Sequence, residues 1–437
     1  MAAPIPFMLV ETVNNLYRYF GFDDSGIGEN AVFQEPRMSR QNPNKCDLCF
    51  PLIPLGGCDA QVPGVLLFPE HRNFKVKINV EKVKEELPVV SEGWVIPVVS
   101  CSTSSNTLCI LLDHANAFQN TISQILSESL KPSRLPCFEK VIGVSEDASL
   151  NDSGGADLTQ LRTRLAFKSL CNVFSSLGYK IKFQTEGSDT LEGTSTPKYH
   201  ICYKSVCPEK GAEQSLVHCG AVLDVASGVK ANDICARDYY RLKKLLFENV
   251  AQERDTIQGN SSHSEILAEA EVAAELLGVK LHDHVSVSLS SSSDNVGIAR
   301  GATFFLYNHV RLSCIRKKFE QEVECGNYSK LPDVSEVDFG LLSQNEEWEL
   351  LLLTLQFSYW LVNCVRSKGK ISLHPILVGM DKLCRVFSVY YRRVRVLTEP
   401  RPHLLPVMYA RLYLLQSLER ILGVGLSIFN MKPLDYM

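Results

Sequence analysis

Arginines and aromatic side chains crowd one short stretch of this 437-residue chain, with Arg385, Arg392, Arg393, Arg395 and Arg401 around Tyr390, Tyr391 and His403. A guanidinium forks two hydrogen bonds to a phosphate, and its plane also stacks on a base. A tyrosine ring offers a face to an unpaired base, and unstacked loop bases are where RNA is usually read. A smaller basic cluster stands at Arg316, Lys317 and Lys318. A plainer reading stays open beside the RNA one: both tyrosines pack in the core while the arginines solvate one helix end.

Other chemistry-bearing residues form weaker patterns. Cys46, Cys49 and Cys58, with His71 as a fourth ligand, have the residue types for zinc. A closed tetrahedral site needs four ligands, however, and no second Cys-x-x-Cys is present. His282 and His284 flank Asp283, a pattern that suits a solvated polar strand as well as a general base. The sequence has no phosphate-binding Gly-rich loop, no dinucleotide fingerprint and no nucleophile elbow. The expectation is therefore no catalytic residue, no metal and no cofactor.

Charge distribution agrees with a polyanion partner. From Arg300 onward there are 18 lysines and arginines against 13 acids, while the preceding residues carry 27 against 36. A basic C-terminal third on an acidic remainder points to nucleic acid, here RNA rather than DNA. No apolar run approaches the roughly 20 residues of a membrane span, so no membrane partner is expected. Fifteen scattered cysteines, and a first 20 residues holding Glu11 and two asparagines, fit reduced thiols in a cytoplasmic protein.

The elements that must position these residues follow from periodicity. Phe7 to Phe20 is helix-like, GWVIPVV and TLCILLD read as strands, and AFQNTISQIL reads as a short helix. The break SEDASLNDSGGAD is followed by a helix over 158–178 ending at Gly178, then by the strand YKIKF. A helix feeding a strand is the mark of an α/β layer. Helices are expected over 236–253 and 263–277, the second with a Ser262/Glu265 capping box, and the serine run 288–293 is expected to be a loop. From Ala302 the pattern is all-helical. A Ser343/Glu346 box opens a helix burying Trp348, Leu351, Leu352 and Leu355. The next helix carries Met380, Leu383, Cys384, Phe387 and Tyr391, and the last runs from Leu404 to Leu426.

Three stretches of this all-helical region resemble the DALR-type anticodon-binding domain of arginyl-tRNA synthetases. They are YNHVRLSCI (307–315), YYRRVRVL (390–397) and the terminal ARLYLLQSLERILGVGLSIFNMKPLDYM. The family's Tyr-x-His-x-Arg helix is matched by Tyr307, His309 and Arg311, and its closing Ala-Arg-Leu helix by Ala410, Arg411 and Leu412. More weakly, 157–163 resembles the position of the family's first ATP signature, with Asp157 and Gln160 where its two histidines stand. AVLDVASGVKAN (221–232) occupies the place of the second signature. Residues 62–130 faintly resemble the family's N-terminal additional domain.

The resemblance implies an α/β plus all-α fold in three parts. These are a small α+β domain (1–145), a degenerate Rossmann-like class I synthetase domain (155–298) and a DALR helical bundle (299–437). Within the wider family it points to animal, non-catalytic members. Those bind arginine tRNAs and direct them to a methyltransferase that makes 3-methylcytidine at position 32. Carried over from the family, Tyr307 and Met437 face the anticodon loop with Arg311 nearby. Charge and aromatic clustering add Arg385, Arg392, Arg395 and Arg401.

Overall fold

The structure, a computed structural model, describes residues 8–21, 37–38, 46–54, 63–68, 74–104, 106–127, 141–146, 157–183, 198–202, 214–224, 235–253, 261–288, 301–366 and 371–434. Cys58, His71, most of the serine run and Met437 lie outside them.

Helix α1 (Met8–Tyr19) buries Leu9, Val10, Val13 and Leu16 along one stripe. An antiparallel sheet follows, built of β1 (Arg37–Met38), β2 (Leu48–Pro54), β3 (Pro63–Phe68), β4 (Phe74–Asn79), β5 (Val98–Ser104) and β6 (Thr107–Leu112). Its order is β4-β3-β2-β6-β5, with β1 on β2. Strand β2 joins the two halves: Leu48–Pro51 pair with β6, and Leu52–Pro54 with β3. Helix α2 (Val80–Val90) starts at Asn79, whose side chain accepts the Lys82 N–H. Helix α3 (His114–Leu126) starts likewise at Asp113, which accepts the Asn116 N–H. Only the end of GWVIPVV is strand. Its first half is held as a connection, because Asn120 donates to the Val95 carbonyl and the Val98 N–H turns to Ser91 Oγ.

The middle of the chain is parallel. Strands β7 (Val141–Glu146), β8 (Lys180–Phe183), β9 (Lys198–Cys202) and β10 (Gln214–His218) run in the order β10-β9-β7-β8, every pair parallel. Parallel neighbours need a crossover, and α4 (Leu158–Ser176) makes it between β7 and β8. Gly178, at φ +85°, ends α4. The Gly178 N–H reaches the Ser175 carbonyl and the Tyr179 N–H the Phe174 carbonyl, a paired C-terminal closure that needs the left-handed residue. A second parallel pair, β11 (Val222–Asp224) and β12 (Val285–Val287), is separated in sequence by α5 (Ala236–Glu253) and α6 (Ser261–Leu277). Helix α6 starts at Ser261, so Ser262 lies inside its first turn rather than at the cap.

Four long helices complete the molecule: α7 (Ala302–Glu324), α8 (Asn345–Arg366), α9 (His374–Arg393) and α10 (Leu405–Ile428). Helix α8 is buried at every residue from Leu350 to Val362, which makes it the central rod of the bundle. It meets α9 closely at Gly379, where a Cβ would stand 2.2 Å from the Trp360 ring. The cap at its start lies one residue later than the Ser343/Glu346 box that the sequence suggests, and among the described bonds it is made from the glutamate side alone. The Gln344 N–H donates to the Glu347 carboxylate at 3.0 Å, because Glu347 is drawn into the core.

The helices are fastened to the earlier elements by polar bonds. Buried Asp47 accepts the Trp348 Nε1–H at 2.7 Å and the Leu112 N–H at 2.8 Å. His114 stacks on the same indole, ring centres 3.6 Å apart, with its Nε2 3.0 Å from Asp47. Arg420 donates to the Ile125 and Leu126 carbonyls at the end of α3, and Asn172 of α4 to the Ser427 and Ile428 carbonyls at the end of α10. One apolar cluster runs from α1 through the antiparallel sheet to α10. A smaller one lies under β11 and β12, lined by Leu158, Tyr239, Leu276 and Val285.

Candidate nucleic-acid interface

Helices α7 and α9 lie side by side, and their seam brings together residues far apart in sequence. Arg311, one turn after Tyr307 on α7, lays its guanidinium 4.0 Å from the centre of the Tyr307 ring. It also stands 4.8 Å from the centre of the Tyr391 ring on α9. The Tyr307 hydroxyl accepts a hydrogen bond from the same guanidinium. Tyr307 is 36% and Tyr391 40% exposed, among the most open large apolar side chains described. Below this trio the seam is closed by buried Asn308, whose amide oxygen accepts from Ser388 Oγ at 2.9 Å. At an exposed site each cation–π contact contributes about 0.5–1 kcal/mol, so the trio is pre-arranged without being locked.

Tyr390 and Tyr391 take opposite roles. Tyr390 is fully buried and donates its hydroxyl to Glu347 at 3.0 Å. Burial, reinforced by that carboxylate, pushes its phenol well above the usual range. The core stripe of α9 thus runs Met380, Leu383, Cys384, Phe387, Tyr390, and Tyr391 belongs to the surface, contrary to the sequence expectation. Glu347 also accepts from Arg411 Nε at 2.8 Å, so one buried carboxylate ties α8, α9 and α10 together. It fixes which tyrosine faces out.

The arginines divide by what already holds them. Arg392 is exposed, bonds the Ser388 carbonyl and makes no ion pair among the described residues. Arg395 is likewise exposed, bonded to the Leu397 carbonyl. Arg385, on the same stripe of α9 as Ser388 and Arg392, pairs with Asp381 at 2.5 Å. Arg401 pairs with Glu399 at 2.7 Å and touches none of the trio among the described contacts. Arg393 turns to Glu346, and Arg316 is held by Glu419 and Glu320, its guanidinium pKa raised chiefly by the Glu419 hydrogen bond. The structure therefore assembles Tyr307, Arg311 and Tyr391, with Arg392 and Arg385 alongside. It leaves Arg395 and Arg401 on the segment after α9, and Met437 lies outside the described residues.

A family model for the DALR anticodon binding domain matches residues 305–437, the span that begins just before Tyr307 and takes in all four of these helices except the first turn of α7. This helical module is a DALR anticodon-binding domain. The whole chain, in a match of 259 residues that covers 56% of it, is 30% identical to the mouse protein named DALR anticodon-binding domain-containing protein 3, of which the match covers 47%. The chain spans about half the length of the curated relatives it matches. Arginyl-tRNA synthetase of Thermus thermophilus superposes with a TM-score of 0.57 at 9% identity, covering 89% of this chain and 96% of that one. The Plasmodium falciparum arginyl-tRNA synthetase superposes with a TM-score of 0.57 at 10% identity, covering 100% of both chains. At such identities the likeness is one of fold. That fold is an α+β unit, a class I synthetase-like α/β layer and the DALR bundle, as the sequence leads one to expect.

Upstream of the DALR domain, the stretch Asp157–Thr163 spends its polar side chains on the chain itself. Asp157 caps α4 through the Gln160 N–H, and the Gln160 side chain answers to the Asp157 N–H. Thr159 Oγ1 accepts from the Val222 N–H at 3.1 Å, and Thr163 donates to the Thr159 carbonyl at 2.9 Å. Arg162 is wholly buried and donates to four backbone carbonyls, those of Gly220, Leu276, Lys280 and Asp283, at 2.6–3.0 Å. Burial lowers its pKa. In place of a phosphate, the guanidinium holds the ends of α6, β11 and β12 together. His282, Asp283 and His284 are all exposed beside it, as a solvated turn.

The thiol reading changes its third member. Cys46 and Cys49 have Sγ atoms 3.3 Å apart, and the third thiol of the cluster comes from Cys109, paired across from Cys49 on β6. Cys58 and His71 lie outside the described residues. Cys46 is pushed far above the usual thiol range, first by its hydrogen bond to Cys49 and then by burial. Among the described residues, no helix is long and apolar enough to cross a membrane.

Proposed function

We propose that this chain is a non-catalytic tRNA-binding protein that reads the anticodon arm of arginine tRNAs through its DALR domain. It presents them to the methyltransferase that forms 3-methylcytidine at position 32. The observation that carries the reading is the Tyr307–Arg311–Tyr391 trio on a DALR domain, two exposed aromatic rings and one half-buried guanidinium plane, beside the exposed Arg392, which makes no ion pair among the described residues. Two open rings supply stacking surfaces for unpaired bases, and Arg392 with Arg395 supplies phosphate contacts. Arg385 and Arg401, each held by a neighbouring acid, take part by exchanging that acid for a phosphate. Met437, at the end of the DALR domain, is the remaining contact in this proposal.

Absence of aminoacylation is supported by the Asp157–Thr163 stretch. Catalysis of adenylation needs donors aimed at the developing charge on the transferring phosphate. Here the polar groups of that stretch bond the chain's own backbone. The site of action is the cytoplasm.

The test is to recover the protein from cells and sequence its bound RNA. Enrichment of arginine isoacceptors is expected, with copurification of a 3-methylcytidine methyltransferase whose product falls on those tRNAs when the chain is removed. Equal recovery of all tRNAs at near-physiological salt would refute the specificity, since low-salt binding reports phosphate charge alone. Arginine-dependent pyrophosphate exchange by the purified chain would refute the non-catalytic part. Removing Tyr436 and Met437 tests the terminal contact: unchanged affinity for the anticodon arm excludes it.

A further inference from the structure

We infer that Cys46, Cys49 and Cys109 form a metal site that holds one zinc ion on three thiolates, with its fourth position open to water. All three Sγ atoms lie within 4.8 Å of one another, and the described residues hold no other such cluster of potential ligands. With Zn–S bonds of about 2.3 Å, the S···S edge of a tetrahedral site is about 3.8 Å. The Cys46–Cys49 separation of 3.3 Å and the 4.8 Å limit bracket that value.

The scaffold delivering the thiols is a hydrogen-bonded sheet rather than a loose loop. Two ligands come from a Cys-x-x-Cys at the entry to β2. The third comes from β6, where Cys109 is the cross-strand partner of Cys49. The entry is pinned further by the Asp47 N–H on the Ile110 carbonyl at 2.8 Å and by the Asp47 carboxylate on the Leu112 N–H. Cys46 and Cys109 are buried and Cys49 is half-buried, so Cys49 is the thiol of the three nearest to solvent. An all-thiol donor set selects zinc or another soft ion over magnesium or calcium, which take oxygen. A disulfide, by contrast, needs sulfurs about 2.0 Å apart and an oxidant.

The experiment uses the full chain purified from zinc-supplemented cells without chelator, its metals measured by plasma mass spectrometry. One zinc per chain is expected. Cys49→Ser and Cys109→Ser should each lose most of it, while Cys325→Ser, on an exposed thiol at the end of α7, should keep it. Cobalt exchanged into the wild-type chain should give thiolate-to-cobalt charge transfer and the strong visible bands of a tetrahedral site. Circular dichroism shows which variants fold. Should neither site variant fold, the cobalt spectrum of the wild type decides, together with protection of half-buried Cys49 from alkylation that a chelator lifts. The inference is overturned by a folded wild-type chain with neither zinc nor cobalt bands, by copper in place of zinc, by a Cys46–Cys49 disulfide, or by zinc that survives the serine variants.

Discussion

Replacing Tyr391 by alanine is expected to weaken RNA binding much more than it weakens the fold. Among the described residues the ring has two aromatic or cationic partners. Its contact with the Arg311 guanidinium contributes about 0.5–1 kcal/mol. Its tilted contact with Phe387, ring centres 5.9 Å apart, contributes about 0.5–1.5 kcal/mol. Losing both costs about 1–2.5 kcal/mol, well inside the roughly 5–15 kcal/mol that holds a domain folded. A base stacked on the ring contributes about 1–3 kcal/mol by the same substitution. That is about a 5- to 140-fold loss of affinity. Stacking releases no counterions, so the slope of log affinity against log salt should stay as it is. Arg392→Gln should do the opposite, lowering affinity for all RNAs alike and reducing the slope by about 0.7 for one lost phosphate contact to a single strand. Tyr390→Phe, one residue away but buried, should cost about 1 kcal/mol of stability and leave affinity alone. Fluorescence anisotropy with a labelled arginine anticodon stem-loop, at several salt concentrations, measures all three. A folded Tyr391→Ala chain that binds within about twofold of wild type, or whose salt slope falls as that of Arg392→Gln does, refutes the assignment of Tyr391 to a base.

Arg162→Met should destabilise the chain by about 4 kcal/mol or more in urea melts, because four carbonyls lose their shared donor; a loss under about 1 kcal/mol would mean that water replaces it. Glu347→Gln should cost about 3 kcal/mol, since an amide cannot match the charge of Arg411 and places an N–H where the carboxylate accepted one. Wild-type melting would remove Glu347 from its role as the tie between α8, α9 and α10. His309 is held below the ordinary histidine value of 6.5 by burial, with its Nδ1 unbonded among the described residues. The unfolded chain therefore binds this proton first, and the stability the neutral ring contributes is present above pH 6.5 and lost as pH falls through the folded pKa. His309→Leu should flatten that acid-side slope, and an unchanged slope would assign it to other groups such as His218, which burial also lowers.

The α4 helix with its Gly178 stop and the four long helices were legible in sequence, because apolar stripes and turn residues are local signals. The choice between Tyr390 and Tyr391 was not. Both fall three or four residues after Phe387, so periodicity admits either, and only Glu347, more than forty residues away in sequence, draws one inward. The same pull sets the carboxylate that caps α8 at Glu347, on the Gln344 N–H, instead of at Glu346. Cys109 was hidden for a related reason: linear spacing favours Cys58, whereas strand pairing sets Cys109 against Cys49. The Asp157/Gln160 capping box has a sequence signal, an Asp three residues before a Gln at a helix start, in the same stretch that resembles a lost nucleotide signature.

The DALR family match begins at residue 305, yet the helices beyond it lean on residues before it. The Trp348 indole N–H is answered by Asp47, Arg420 by the carbonyls at the end of α3, and the end of α10 by Asn172. A fragment cut at that point would put a bare indole N–H, an idle guanidinium and the flank of α8 that packs on α1 into water together. The edge of a recognisable module and the edge of a cooperative folding unit are different places in this chain. Truncations placed at the first would report collapse as though it were lost recognition, so deletion mapping of the RNA site must leave the N-terminal sheet in place.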